Sequence, residues 1–394
     1  MALVIDNRGA VAGAGVHVLI VGVSEYLNLP EAGDPPADAG WFLNKLTSPA
    51  LSAFKVHEFL RQETLRLPLK TVRLLLSPSP TEFAIEPLLA TVGASRANRA
   101  AFETMARDWR DDAKNNPADM TILYFAGHGL QRGSDDGVLL LEDFLSAGPP
   151  LAKCFEIGDI KDGMAPSPTY PNIALTQFYF VDACLTRQDT QKKFVNPQVP
   201  DVFGAELNIV DRREAPVMFS TVDGAIALGR GGQPSHFSEA LILALQRAAE
   251  DPEDDPAGGA AAVWPITSLT LKTALDLYYA KHKLGTKVQL GGVIGLPVIR
   301  YLPGPPDVDI SVEVRPDALG NPCNVWVYDN RGTGVPPCTP TTQTKFDMTV
   351  KAGIYSVQVD SGRLHNPPYR SDPKYITQRG TWPWVHNLVP HLKP

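Results

Sequence analysis

Two residues that can carry out nucleophilic chemistry together, His128 and Cys184, each follow an apolar stretch and small residues. His128 lies in YFAGHG (124–129), and Cys184 ends FVDAC (180–184). A thiol attacks as the thiolate and has an ordinary pKa of about 8.5, so it needs a base such as an imidazole. The same imidazole can then protonate the leaving amine. The pair predicts a cysteine–histidine dyad that cleaves an acyl bond.

The dyad requires that both residues lie at one edge of a sheet. Both follow predicted strands, and sites in open α/β sheets form outside the carboxyl ends of the strands. Gly127 and Gly129 flank His128, which would let substrate approach and leave a backbone N–H facing an oxyanion. Taken singly, a polar histidine at a strand end and a buried cysteine are also ordinary structural residues. Their joint occurrence favours the catalytic interpretation.

The first three hundred residues alternate apolar strands with amphipathic helices, which is typical of a mostly parallel sheet. The predicted strands are 17–23, 71–77, 119–129, 174–185 and 215–224. The predicted helices are 34–46, 96–114, 236–249 and 267–285. Residues 130–172, 187–214 and 251–262 are expected to be exposed loops.

The composition changes at PGPPD (303–307), which is typical of a linker. Beyond it, alternating apolar and polar residues predict strands over 309–316, 324–330, 345–350 and 353–360. The predicted fold class is α/β in residues 1–302, followed by a small all-β sandwich domain in residues 303–394.

Composition excludes several classes of function. The chain has 394 residues with 36 basic and 43 acidic side chains, a net charge of −7 that argues against nucleic acid as a partner. No apolar run is long enough to span a membrane, and the N-terminus lacks a signal-peptide pattern, so we expect a cytoplasmic protein without a membrane partner. Four cysteines are too few for a disulfide framework; Cys323 and Cys338 either pair or stay reduced.

Several motifs together resemble the caspase-like cysteine proteases, in their metacaspase and bacterial caspase-homologue branch. The resemblance covers about residues 15–302 and rests on HVLIVGVSEY (17–26), the Asp-Ala pair at 38–39, YFAGHG, FVDAC, MFSTVDGAIALG (218–229) and HFSEALILAL (236–245). It implies a caspase-like, mostly parallel sheet flanked by helices. It also implies Cys184 as nucleophile, His128 as general base and acid, and an oxyanion hole formed by the backbone N–H groups of Gly129 and Cys184.

The resemblance extends to substrate specificity. Relatives with Asp two residues before the cysteine and at the start of the first helix cleave after Arg or Lys, and Asp182 and Asp38 match both positions. Two carboxylates in a closed pocket would bind a guanidinium and reject an acidic side chain. Ser220 either lines the same pocket or packs structurally, and the two aspartates could also have structural roles. The alternatives are a caspase-like protease that cleaves after Asp and a catalytically silent caspase-fold scaffold.

Activation is the remaining question. The 187–214 segment holds five basic residues at which a basic-specific protease could cut, or which form a solvated loop: Arg187, Lys192, Lys193, Arg212 and Arg213. The resemblance implies a zymogen in a prokaryotic stress or antiviral defence pathway, with a protein substrate and an activating protease or sensor protein. SDD (134–136) and EDF (142–144) offer oxygen atoms for calcium but have no EF-hand pattern, so no metal or other cofactor is predicted. Binding a partner, restraining the site and docking substrate are all open roles for the C-terminal region.

Overall fold

A computed structural model describes most of the chain. Its backbone covers residues 2–31, 33–34, 43–131, 137–149, 151–186, 198–204, 210–221, 230–249, 251–259, 261–293, 295–313, 323–329, 334–341, 345–360, 370–371, 374–378, 385–388 and 392–393. The side chains of 184–186, 293, 312–346 and 354–394 lie outside the description.

The described chain contains helices and strands in alternation up to about residue 300. The strands are β1 (Leu3–Asp6), β2 (Val16–Val23), β3 (Leu69–Ser77), β4 (Met120–Gln131), β5 (Gly137–Leu140), β6 (Cys154–Glu156), β7 (Thr176–Thr186), β8 (Ala215–Phe219), β9 (Trp264–Thr267), β10 (Gln289–Val293), β11 (Val298–Leu302), β12 (Asp307–Glu313), β13 (Cys323–Asp329), β14 (Gly334–Thr341), β15 (Lys345–Lys351), β16 (Gly353–Asp360), β17 (Arg370–Ser371), β18 (Lys374–Gln378), β19 (Val385–Leu388) and β20 (Leu392–Lys393). The helices are α1 (Pro49–Gln62), α2 (Pro80–Ile85), α3 (Arg99–Asp112), α4 (Ile157–Gly163), α5 (His236–Arg247) and α6 (Ser268–Lys281), with a short 3-10 helix at Pro87–Ala90.

The largest sheet has nine strands, and its main path runs β1-β3-β2-β4-β7-β8-β10. The five strands from β3 to β8 are parallel, whereas β1 and β10 are antiparallel to their neighbours. At the end of β4, where β2 has stopped, β5 pairs with β4 and carries β6 on its other edge. The predicted α/β class with a mostly parallel sheet flanked by helices is confirmed.

Both faces of this sheet are buried, as expected for parallel strands covered by helices. On one face, alternate residues such as Leu19, Phe125 and Val181 belong to a core that includes Trp109 of α3. The other face packs against α1. A Cβ at Gly22 would lie 2.8 Å from the Cα of Ala50, so the close approach of α1 to β2 requires glycine there.

The helix predicted over 34–46 is contradicted in its last residues, and the first described helix begins at Pro49. Residues 43–46 are not helical, and 35–42 lie outside the described residues. The N–H of Leu46 donates to the carbonyl of Ser24 and not to a carbonyl of a preceding helical turn. Helix α1 instead begins at Pro49, where Ser24 Oγ and Glu82 Oε1 accept hydrogen bonds from the first free N–H groups.

The prediction of an exposed loop over 130–172 is wrong. This stretch contributes β5, β6 and α4, and all four residues of β5 are buried. Phe155 of β6 stacks on Phe102 of α3 with ring centroids 3.9 Å apart. The segment therefore forms part of the core beneath α3.

By its internal contacts the chain divides into two compact units, Met1–Ile242 with His282–Pro297 and Leu243–Lys281 with Val298–Pro394. The second contains small sheets: β9 with β11, β12 with β15 and β19, and six strands around β13 and β16. The four strands predicted beyond residue 303 are present as β12, β13, β15 and β16, and β14, β17, β18, β19 and β20 are additional. The domain boundary at 302/303 and the sandwich packing remain predictions. Among the described residues, no helix has the length and apolarity needed to cross a bilayer.

Candidate active site

The parallel pairing of β4 with β7 places His128 beside Cys184. The register runs without a shift from Met120 opposite Thr176 to Leu130 opposite Thr186. Adjacent strands lie about 4.8 Å apart, so the two backbone positions are direct neighbours. The side chain of Cys184 lies outside the described residues.

The ring of His128 is buried, with only 8% of the residue exposed. Its Nε2 lies 2.7 Å from the carbonyl oxygen of Asn44. A carbonyl can only accept, so Nε2 carries the proton and Nδ1 is left with a lone pair. Burial lowers the pKa of His128 to about 4, against the opposing effect of the Asn44 carbonyl. The imidazole is therefore neutral at neutral pH and able to accept a proton.

Asn44 was not predicted as a site residue, because an orienting carbonyl leaves no side-chain signature. Its own side chain holds the loop in place, since Nδ2 donates to the carbonyls of Glu31 at 2.8 Å and Asp34 at 2.6 Å. The next residue, Lys45, donates its N–H to the carbonyl of Pro30. This loop fixes the acceptor that selects the tautomer of His128.

Tyr26 is a second residue that the sequence did not reveal. Its hydroxyl accepts a 2.8 Å hydrogen bond from the N–H of His128, and the two rings lie 4.9 Å apart. A Cβ at Gly127 would lie 2.8 Å from that hydroxyl. The space at Gly127 therefore accommodates Tyr26, which corrects the expectation that it admits substrate. Gly129 lies in register with Leu139 on one side and Leu185 on the other.

Asp182 is buried two residues before Cys184, with 7% of the residue exposed. Tyr124 donates to its Oδ2 at 3.2 Å, and Ser235 donates to the same oxygen. Burial raises the pKa of Asp182 to about 6, while hydrogen bonds from Ser235, Tyr124 and Ser220 act in the opposite direction. In the described part of the chain, no Lys or Arg forms an ion pair with Asp182.

Ser220 lies just beyond β8, on the side of Asp182. Its N–H donates to the carbonyl of Val181. Its single hydroxyl proton has two acceptors, the carboxylate of Asp182 and the carbonyl of Ala183 at 3.3 Å. The hydroxyl therefore also supports the backbone that leads into Cys184. The structure brings together Asp182, Ser220, His128 and the backbone of Cys184; Asp38 lies outside the described residues.

The predicted processing residues differ in environment. Arg187, Lys192 and Lys193 lie outside the described residues, and Arg212 is exposed. Arg213 is buried: it pairs with Asp211 at 2.7 Å and donates to the carbonyl of Lys161. We therefore correct the assignment of Arg213, because its guanidinium holds the fold together and is not presented to a protease.

The acidic residues considered for calcium do not form a cluster in the described chain. Residues 134–136 lie outside it, and Glu142 is bound to Ser77 and to Arg96 at 2.7 Å. Among described residues, no group of three or more His, Cys, Asp or Glu side chains is arranged to hold a metal ion.

Replacing Asp182 by Asn is expected to increase stability at alkaline pH. Between about pH 4 and about pH 6, the folded protein retains a proton on Asp182 that the unfolded chain releases, so the contribution of Asp182 to stability falls as pH rises. From about pH 4 to about pH 8, the free energy of unfolding of Asp182→Asn should gain about 2 kcal/mol relative to wild type. Urea denaturation at both pH values measures this, with the surface variant Asp111→Asn as control. If the free energies of unfolding of Asp182→Asn and wild type differed by the same amount at both pH values, Asp182 could not be a buried carboxyl without a countercharge.

Comparison with known proteins identifies the family. The model of the Caspase domain, a peptidase family, matches residues 16–257. The chain is 25% identical over 177 residues to the uncharacterized protein y4kE of Sinorhizobium fredii, covering 44% of this chain and 48% of that protein. It thus spans about half the length of this relative.

Two solved structures are also similar. Caspase-1 from Spodoptera frugiperda is 13% identical, with 72% of this chain and 89% of that chain covered and a TM-score of 0.39. Protein GSU0716 from Geobacter sulfurreducens is 14% identical, with 58% and 81% covered and a TM-score of 0.34. The family model, which spans more than half of the chain and includes His128 and Cys184, confirms the resemblance: the chain belongs to the caspase domain family of peptidases.

Proposed function

We propose that this protein is a cysteine endopeptidase that cleaves protein chains after Arg or Lys. The observation that carries the proposal is the β4–β7 register, which sets His128 beside Cys184 and the buried Asp182 two positions earlier on the same strand. The first two residues supply a base and a thiol. The third supplies an anion at a site where burial makes an unpaired charge costly.

The proposed reaction begins with transfer of the Cys184 thiol proton to Nδ1 of His128. The thiolate attacks the carbonyl carbon of the scissile peptide, and the imidazolium then gives its proton to the leaving amine as the C–N bond breaks. Water, activated by the same ring, hydrolyses the thioester. The carbonyl of Asn44, 2.7 Å from Nε2, keeps Nδ1 available and stabilises the imidazolium that forms. The proposed oxyanion donors are the backbone N–H groups of Gly129 and Cys184.

The specificity proposal rests on the surroundings of Asp182. Three hydroxyl groups, from Tyr124, Ser220 and Ser235, bind a carboxylate that burial otherwise penalises. A cationic substrate side chain would supply the missing countercharge, and a guanidinium can bind a carboxylate in a fork geometry. An acidic side chain would place a second anion in the same pocket, which argues against cleavage after Asp. We propose Asp38 as a second pocket carboxylate.

Peptides varied at the residue before the scissile bond test this function. Wild type is expected to cleave after Arg and Lys, and Cys184→Ala or His128→Ala should lower kcat/KM by ~10^4-fold, because the nucleophile and base act as a unit. Cys154→Ala is the matched control, since Cys154 is a buried thiol elsewhere in the core. Cleavage after Asp would support the alternative specificity. Failure of a thiol-directed peptide probe to label Cys184 both before and after limited proteolysis would favour a silent scaffold and contradict the enzyme.

We also propose that a protease, either this chain or another, cuts at Arg187, Lys192, Lys193 or Arg212 to release activity. Changing all four to Gln, with Arg213 retained for its structural contacts, should leave the chain intact and lower activity on Arg peptides at least about tenfold. Gel electrophoresis with parallel kinetics measures both effects. The control is Arg61→Gln with Lys114→Gln, which removes exposed basic residues elsewhere. Wild-type fragments or wild-type activity from the fourfold variant would contradict this activation route.

The place of the protein in the cell is a further proposal. We propose that it acts in a prokaryotic stress or antiviral defence pathway, in which a sensor protein or protease activates it. The family resemblance supports this. Loss of protection against phage after Cys184→Ala in the source organism would support it, and unchanged protection and stress survival would contradict it.

A further inference from the structure

Ser235 joins the pocket carboxylate to two helices. It immediately precedes α5, and its Oγ accepts a hydrogen bond from Ser238 N at 3.1 Å in the manner of a helix cap. Its N–H donates to Oγ of Ser52, on α1, at 2.8 Å. Its Oγ donates to Oδ2 of Asp182. The residue is buried, with 7% exposed.

We propose that Ser235 is a positioning residue for the basic-residue pocket: its hydroxyl orients the Asp182 carboxylate and favours the anionic form that binds a cationic substrate side chain. This inference rests on the proposed function, because it concerns how the pocket is held ready for Arg or Lys. Ser235 does not react with substrate and acts through Asp182.

The hydrogen-bond directions around Ser235 support this role. Ser52 Oγ donates to the carbonyl of Ser48 at 2.8 Å, so its oxygen accepts from Ser235 N, which fixes the Ser235 backbone against α1. The single hydroxyl proton of Ser235 has two acceptors within reach, Asp182 Oδ2 and Ser238 Oγ at 3.0 Å. When Asp182 is ionised, donation to the carboxylate is the stronger choice, since a charged acceptor strengthens a hydrogen bond.

Two of the hydrogen bonds to the Asp182 carboxylate fall on one of its oxygens, Oδ2. Tyr124 and Ser235 both donate to Oδ2, from β4 and from the start of α5. Two donors from separate elements hold Oδ2, and the Ser220 hydroxyl is the third group that bonds to the carboxylate. We assign the remaining acceptor capacity of the carboxylate to the substrate cation. The titratable groups nearest in the chain and register are Tyr124 and His128 on β4, Cys184 on β7 and His236 beside Ser235. The influences on the Asp182 pKa are burial and three hydroxyl groups.

The test follows kcat/KM for an Arg peptide as a function of pH. Wild type should show an acid limb near pH 6, the pKa of Asp182. Ser235→Ala removes a donor to the anion, so the limb should move about one unit to higher pH, with the rate largely recovered at alkaline pH. Ser235→Thr keeps the hydroxyl and should restore the wild-type limb. Ser79→Ala is the matched control, because Ser79 caps α2 in the same way without touching Asp182.

A second measurement does not depend on cleavage. The pH window over which Asp182→Asn changes the melting temperature reports the ionisation of Asp182, and it should also move to higher pH in the Ser235→Ala background. If this pH window moves in the Ser235→Ala background but the protein cleaves no peptide after Arg or Lys, the proposed function is contradicted and the role of Ser235 is upheld. The proposed role of Ser235 would be overturned if Ser235→Ala left both the pH window of the melting-temperature effect and the acid limb of kcat/KM unmoved. Activity would then be lowered equally at every pH, as expected for a lost helix cap.

Discussion

The pairing of β4 with β7 is the constraint on which the site depends. Both strands are long and central, and their register has no shift between residues 120 and 130. A slip of one residue would move every side chain of one strand to the opposite face of the sheet. The buried residues on both faces, such as Phe125 and Phe180, oppose such a slip. The stability of the core thus fixes His128 beside Cys184.

The two ionisable groups described in the site, His128 and Asp182, are both shifted toward their neutral forms by burial. His128 is kept neutral by a lowered pKa and held in one tautomer by Asn44, so it can accept a proton. Asp182 is held partly protonated near pH 6 and reduces the stability of the folded protein at alkaline pH. A cationic substrate side chain would relieve the cost of burying the Asp182 anion. Part of the substrate's binding energy would therefore come from a residue two positions before the nucleophile. Stability and proposed specificity are therefore in conflict at Asp182.

Much of the fold follows from the sequence because each central strand is a short, continuous apolar run. The positions of β2, β3, β4 and β7 were predicted to within a few residues. The start of α1 at Pro49 has no local sequence signal, because the groups that accept from its first N–H groups, Ser24 and Glu82, are both distant in sequence. The 130–172 stretch has the composition of a loop, because prolines and glycines surround the short buried strand β5. At the site, reactive side chains were recognisable, whereas the Asn44 carbonyl and the contacts of Tyr26, Tyr124 and Ser235 depend on tertiary structure.

In the proposed specificity, Asp182 recognises the charge of the residue before the scissile bond. The most direct measurement compares kcat/KM for two peptides that differ only by Arg or its neutral isostere citrulline at that position, in wild type and in Asp182→Asn. We expect wild type to prefer Arg by ~100-fold or more, since hydrogen bonds between charged groups contribute about 1.5–3 kcal/mol each, and Asp182→Asn to lose most of that preference. Equal preference for Arg in both proteins would contradict the account.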